Sequence, residues 1–345
     1  MKEFNGFATG IGSLPHKDAD QALDIVFQYC PAIPFWPQLP RRSSREGMVA
    51  QFSEKLPCLE FTSEGIIFNS RDRDRELEFF YDRVIAGDAD YFKISPDFAA
   101  GLYGFCRRLE GLSPEALRSI VALKCHITGP FTFAASLNND ENISLIHDEV
   151  FMQVILKGLA MKALWQLRLF KKFGKEQIIF IDEPYLAGFG SAFTPVNKQT
   201  VESILAELTS AIKAEGALVG VHCCGNTDWP IFLDSPAIDI INFDAFSFFE
   251  RLALYADNLK AFFKRGGSLC WGIVPTTEFK GSETPESLAA LVNSGINTLA
   301  KKGIDRDLLA KNLLISPSCG LGTLDPAKAE QIFQVLSKTS AFLRR

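Results

Sequence analysis

An α/β fold closing as a parallel (β/α)8 barrel is predicted by three observations. Eight short apolar runs, each ended by a polar or turn residue, recur along the chain. Helix-length segments with apolar residues at i, i+3 and i+4 separate most of them. Repeated alternation of strand and helix is the pattern that a parallel barrel requires. The size agrees: 345 residues, 47% of them apolar and 30 of them Phe, supply one barrel with an ample core.

In chain order, the first strand is "GFATGIGS" (6–13), followed by a helix in "DADQALDIVFQYC", which opens on an Asp cap. The second strand is "AIPFW" (32–36). Residues 38–119 then break the rhythm, because they exceed what one crossover helix needs. This excursion holds "CLEFTSEGIIFN", a predicted hairpin, and the charged helical run "RDRDRELEFFYDRVIAG". It is expected to elaborate the barrel mouth within a single domain, 1–345. The third strand is "IVALKCHIT" (120–128). A long apolar helix within "NISLIHDEVFMQVILKGLAMKALWQLRLFKKF" suits barrel packing or a dimer interface, with packing preferred and His147 given no role. Strands follow at "QIIFID" (177–182), "ALVGVHC" (217–223), "IDIINFD" (238–244), "LCWGIV" (269–274) and "LLISPS" (313–318). The late helices carry their own punctuation: "SLAALVNSGINTLAKKG" ends in Lys-Lys-Gly, and "DPAKAEQIFQVLSK" has Pro just inside its start.

Composition narrows the function classes. The net charge is −5 with both signs interspersed, which carries no nucleic-acid footprint. The start lacks a signal-peptide core, and no apolar run is read as membrane-spanning. A soluble, cytoplasmic protein is expected. Its eight cysteines are then thiols, free for metal binding or catalysis.

Barrel chemistry sits at the C-terminal ends of the strands. The polar residues there are Ser13, His126, Asp182 with Glu183, His222 with Cys224, Asp244 and Cys319. His222 and Cys224 are two apart at a strand end, so both side chains can face the same side, whereas Cys223 faces the core. Imidazole, thiolate and carboxylate are good zinc ligands, and a catalytic zinc keeps three protein ligands plus an exchangeable position. Any one of these cysteines alone is more often a small buried hydrophobe. Convergence of four residues on strand ends favours a site. The loop "PRRSSRE" (40–46) could bring Arg41, Arg42 or Arg45 to a substrate carboxylate, although a solvated charged loop is the preferred reading.

Four motifs, in order, resemble the C-terminal catalytic barrel of cobalamin-independent methionine synthase: "IGSLP", "TGPFT", "IDEP", then "HCC…NFD…CGLGT". "HCCGNT" looks especially like the related zinc barrels that take methyl groups from corrinoids. The resemblance spans residues 8–323. It implies that His222, Cys224 and Cys319 bind zinc, with Asp244 in place of the family's glutamate ligand. It also implies that Asp182 holds the amino group of homocysteine, that Ser13 contacts that amino acid, and that Glu183 belongs to the substrate site. A zinc-bound thiol is deprotonated, and a thiolate is the nucleophile that methyl transfer needs.

The chain departs from the family on the donor side. The family's companion N-terminal barrel has no counterpart in this sequence. "FAASLNND" follows "TGPFT" where the family has a tryptophan that packs on the pterin. "GIVPTTEF", with Thr277, stands where the family presents a histidine acid. Methyltetrahydrofolate needs its leaving nitrogen protonated, whereas a methyl-corrinoid leaves as reduced cobalt without a proton. The expected donor is therefore methylcobalamin or a corrinoid protein, with methyltetrahydrofolate as the alternative. His126 and His16 are the candidates for a replacement acid, a structural role being the other reading. Rival functions are a methylcobamide:coenzyme M-type methyltransferase, a uroporphyrinogen decarboxylase-like lyase, which needs no His-x-Cys with a distant Cys, and a non-catalytic thiol- or metal-binding barrel.

Overall fold

The computed structural model describes residues 3–63, 65–191, 194 and 196–344. Among them the strands are β1 (Phe7–Ala8), β2 (Leu59–Thr62), β3 (Gly65–Phe68), β4 (Ala122–Thr128), β5 (Glu176–Asp182), β6 (Leu218–Cys223), β7 (Ile240–Phe243), β8 (Ser268–Val274) and β9 (Leu313–Pro317). Seven form one curled parallel sheet in the order β1-β9-β8-β7-β6-β5-β4, a half-barrel. Helices cross between its consecutive strands, as parallel pairing demands. β2 and β3 pair antiparallel, Thr62 opposite Gly65, as the predicted hairpin.

The expected strand over 32–36 differs in kind. Its backbone bonds both edges of the sheet, yet it forms only isolated bridges: Phe35 with Lys124 of β4, and Gln38 with Ser13 beyond β1. Val121 N–H donates to Ala32 O at 2.8 Å, Lys124 N–H to Pro34 O at 3.0 Å, and Gln38 N–H to Gly12 O at 3.1 Å. The reason is composition. Pro31, Pro34 and Pro37 have no N–H, so this segment lacks the run of donors that a two-sided ladder requires.

The sheet is buried on both faces, which is why its strands read as continuous apolar runs. One face, with Ile179, Ile181, Val219, Val221, Ile241 and Phe243, joins the large core under the helices. The opposite, inner face carries the alternate residues. Its N-terminal end is an apolar plug of Phe4, Ile33, Ala122, Ile178, Phe180, Ile240, Cys270 and Leu314. Lys124 enters this plug with its ammonium 4.5 Å from the Phe180 ring centre, donating to Ile11 O at 2.5 Å. Gly220 makes room, since a Cβ there would lie 2.8 Å from the Phe180 ring. Towards the C-terminal ends the same inner face turns polar.

The cap residues behave as their chemistry dictates. Asp18 accepts from Asp20 and Gln21 N–H at the start of Ala19–Tyr29, and Asp325 caps Pro326–Leu343 ahead of its Pro. Glu149–Phe170 is apolar around most of its circumference and is capped by Asp148. With its extension to Phe173 it is, by length and composition only, long and apolar enough to cross a membrane. However, 78% of its most apolar window is buried within the fold, which is where a helix that is apolar all round belongs.

Residues 38–119 include the hairpin, the helix Arg73–Ile85 and the helix Ala100–Glu110, which packs on Ala19–Tyr29. Gly104 permits that approach, because a Cβ there would lie 2.8 Å from Leu23. The first part of this segment meets the C-terminal strand ends. Thr128 of β4 donates to Met48 O at 2.5 Å, and Arg41 donates to Thr323 O at 2.6 Å.

Candidate metal centre

The ends of β6 and β9 bring three ligating side chains together. β6 delivers His222 on its inner face, and Cys224 follows one residue past the strand. Cys319 follows the end of β9. The candidate ligand atoms of His222, Cys224 and Cys319 all lie within 4.8 Å of one another. That spacing suits a single ion with roughly 2.0–2.3 Å bonds, the values for zinc with imidazole and thiolate. Cys223 points away into the large core and donates to Gly225 O.

The loop after β9 is held over Ser13. Leu321 N–H donates to Ser13 O at 3.0 Å, and Gly322 N–H donates to Ser13 Oγ at 3.2 Å. Gly320 is required by this approach, since a Cβ there would sit 2.3 Å from Ser13 Oγ. Ser13 thus lies beside the loop that carries Cys319.

The cluster polarises its thiols unequally. Cys319 is pulled well below the usual thiol range, first by a hydrogen bond from Cys224, then by His222 and the Gly320 N–H, against the effect of burial. Cys224 is pushed up, by that same bond to Cys319 and by burial. Burial disfavours a charged His222, but its bond to Cys319 and the charge of Asp182 outweigh this and raise its pKa. Thiolate and imidazole in mutual contact are what a soft or borderline cation displaces protons from.

Asp182 pairs with His222 in the β5–β6 register. It is only 9% exposed, and its Oδ1 is buried with no hydrogen-bond partner. Burial raises its carboxyl to about 6, against the opposing charges of His222 and Lys124. An unpartnered buried carboxylate oxygen is an exception among buried polar groups, and it leaves an acceptor open beside the His222–Cys224–Cys319 cluster.

Glu183 is occupied differently. Its carboxylate accepts from Phe131 N–H at 3.0 Å, Thr132 N–H at 2.9 Å and Thr132 Oγ at 2.6 Å, at the N-terminus of Pro130–Ala135. Gly129 is obligatory beneath it, because a Cβ would lie 2.1 Å from the Glu183 carboxyl carbon. "TGPFT" and "IDEP" are therefore two halves of one contact.

Asp244 follows β7 and caps Ala245–Leu252 through Ser247 N–H at 2.9 Å. Its carboxyl is raised, chiefly by burial, and the charge of Cys319 acts on it in the same direction. It lies outside the three-residue cluster.

His126 lies on the inner face of β4, its ring stacked on Trp36 with centroids 3.9 Å apart. Gly12 closes the other side, since a Cβ there would sit 3.1 Å from the ring. Both ring nitrogens are buried without partners. Burial, and secondarily the Lys124 charge, hold its pKa well below the ordinary value. His16 is also lowered by burial, and its charged neighbours are Glu330 and Asp18. Arg42 pairs with the buried Glu46, and Arg45 pairs with Asp97 at 3.2 Å.

Two residues escaped the sequence reading. Asn242 and Ser316 stand on the inner faces of β7 and β9; Asn242 contacts His222, and Ser316 contacts Asn242. The only available signal was alternation: Asn242 is two residues before Asp244 in "NFD" and so shares its face.

No protein-family profile matches the chain. It is 27% identical to the methionine synthase of Methanocaldococcus jannaschii over 246 residues, which cover 66% of this chain and 73% of that protein. The relation to methionine synthase is thus a family-level similarity.

Proposed function

We propose that this chain is a zinc-dependent methyltransferase of the methionine synthase type, built on a (β/α)8 barrel, that moves a methyl group from a corrinoid to the thiol of homocysteine. The observation that carries the reading is the His222–Cys224–Cys319 cluster at strand ends beside the unpartnered Asp182 carboxylate. The barrel reading is supported by the segment 32–38, which bonds both edges of the half-barrel. The contacts of Met48 and Arg41 with the strand ends favour 38–119 as an insertion at the mouth.

His222, Cys224 and Cys319 would hold the zinc, with Asp244 as a fourth, displaceable ligand that keeps its Ser247 contact when released. A bound zinc lowers the pKa of an incoming thiol, so that the thiol enters as thiolate. Asp182 would take the ammonium of homocysteine and orient it, with Ser13, beside the loop that carries Cys319, also contacting the amino acid. Glu183 would serve the substrate site by fixing the 129–132 loop. The corrinoid would supply the methyl group: the thiolate sulfur would take the methyl carbon, and the electron pair of the carbon–cobalt bond would stay on cobalt.

A corrinoid donor is favoured because burial lowers the pKa of both His126 and His16, the two candidates for protonating a folate nitrogen. His126 is also stacked on Trp36, and Thr277 stands near the place where the family presents its acid. An acceptor with an amino group is favoured over coenzyme M because Asp182 is the free carboxylate of the site. The test is to incubate the zinc-loaded protein with homocysteine and either methylcobalamin or methyltetrahydrofolate, and to quantify methionine. Transfer from methylcobalamin with little from the folate is expected. Efficient folate turnover would overturn the donor. Methylation of coenzyme M but not of homocysteine would overturn the acceptor.

A further inference from the structure

Asn242 is fully buried, and its amide can be oriented in only one way. Its Nδ2 lies 2.9 Å from Cys270 O, a carbonyl that can only accept. The same nitrogen lies 2.8 Å from Ser316 Oγ. Ser316 donates its own proton to Pro317 O at 2.8 Å, so towards Asn242 it too can only accept. Both amide protons are thereby committed, and turning the amide over would set oxygen against oxygen. Oδ1 is left facing His222 Nδ1, with which it is in hydrogen-bond contact. Two acceptors do not pair, so Nδ1 carries the proton. A neutral imidazole has one proton, so Nε2 presents its lone pair.

We propose that Asn242, supported by Ser316, is the positioning residue that locks His222 in its Nδ1–H tautomer and assigns Nε2 as the metal-binding nitrogen. This rests on the reading of the cluster as a metal centre. The lock is rooted in the sheet. Asn242 is opposite His222 in the β6–β7 register and opposite Cys270 in the β7–β8 register. The chain of contacts thus crosses four neighbouring strands, and none of its members can move without breaking a ladder. Partners that fix the orientation of a ligating histidine are common in metal sites, but the usual partner is a carboxylate, a carbonyl or water. A carboxylate at 242 would serve His222 but could donate nothing to Cys270 O or Ser316 Oγ. The site needs one acceptor and two donors on one short side chain, and asparagine supplies that set.

The experiment compares wild type, Asn242→Leu and Ser316→Ala as full chains with fold verified by circular dichroism. Zinc affinity is measured by competition with a chromophoric chelator. Cadmium-113 to nitrogen-15 coupling is read on ¹⁵N-histidine-labelled protein. Asn242→Leu is expected to bind zinc about 10–100-fold more weakly, and Ser316→Ala to shift in the same direction by less. In wild type the cadmium couples to Nε2 of His222, with Nδ1 still protonated. In Asn242→Leu coupling to Nδ1 appears, because the ring is free to turn. A folded Asn242→Leu with wild-type affinity, or coupling to Nδ1 in wild type, would overturn the proposal. If Asn242→Leu does not fold, the wild-type coupling and the direction of the Ser316→Ala shift decide it. Folded wild type that takes up no zinc would instead bring down the metal reading itself.

Discussion

The two arcs of the sheet finish their polar residues in opposite ways. On the arc from β5 to β9, the inner-face side chains at the strand ends bind one another. Ser316 holds Asn242, Asn242 holds His222, and His222 meets the two thiols. On the arc formed by the 32–38 segment and β4, His126 is clamped between Trp36 and Gly12 with neither nitrogen bonded. Both arcs bury a histidine at a strand end. What separates them is the neighbouring chemistry: the first surrounds its histidine with groups that fix a nitrogen, the second with the rings of Trp36 and Phe52, which offer nothing to it. A histidine at a barrel mouth is therefore a site only where adjacent strands answer it.

The largest test of this contrast removes a ligand from the first arc. Cys224→Ala or Cys319→Ala should abolish stoichiometric zinc while leaving the barrel folded, since both thiols lie in loops beyond the strands. Elemental analysis alongside circular dichroism checks this, and wild-type zinc in either variant would refute the site. Next comes the junction of the arcs. Gly129→Ala forces a Cβ onto the Glu183 carboxyl, and burial combined with three donors leaves that group nowhere to go. A loss of about 2–4 kcal/mol in urea unfolding is expected.

Asp182→Asn should cost on the order of 2–4 kcal/mol in homocysteine binding with zinc content unchanged. The same substitution should stabilise the free protein at neutral pH. The folded carboxyl is raised to about 6 from 3.8, so between those values the native state binds more protons than the unfolded state, and stability falls as pH rises. The gain on substitution is about 1–3 kcal/mol at pH 7 and vanishes below pH 4. Acceptor affinity in the wild type should weaken as pH drops through 6, where the carboxylate takes up its proton. Calorimetric titration at several pH values reads both effects, and a pH-independent affinity would remove Asp182 from the site. The smallest effect is expected from the second arc. His126→Leu removes two unpartnered nitrogens, so stability should change by no more than about 1 kcal/mol and transfer from methylcobalamin should persist. A rate loss of ~10²–10⁴ confined to methyltetrahydrofolate would restore His126 as an acid.

Where the strands fall was largely written in local pattern. The runs predicted at 120–128, 177–182, 217–223, 238–244, 269–274 and 313–318 each coincide with β4 to β9 within two residues at either end. Parallel strands buried on both faces leave that apolar signature. Two runs depart from this: the strand expected over 6–13 is only Phe7–Ala8, and Pro31, Pro34 and Pro37 reduce the 32–36 run to isolated bridging. His222 and Cys224 were legible because they are two apart, and strand alternation alone puts them on one side. Cys319, 95 residues further along, could be joined to them only through the rule that barrel strands end at one mouth.

Local pattern could not reach contacts between side chains on different strands. "TGPFT" and "IDEP" could be seen as motifs, but nothing in their spacing says that Glu183 is held by Phe131 and Thr132. Asn242 and Ser316 are ordinary polar residues in apolar runs, 74 positions apart. Sequence determined which face each residue occupies, because alternation is a property of a single strand. Tertiary structure decided which side chain meets Nδ1 of His222, because a hydrogen bond needs two chains of atoms brought into register, and register belongs to the sheet.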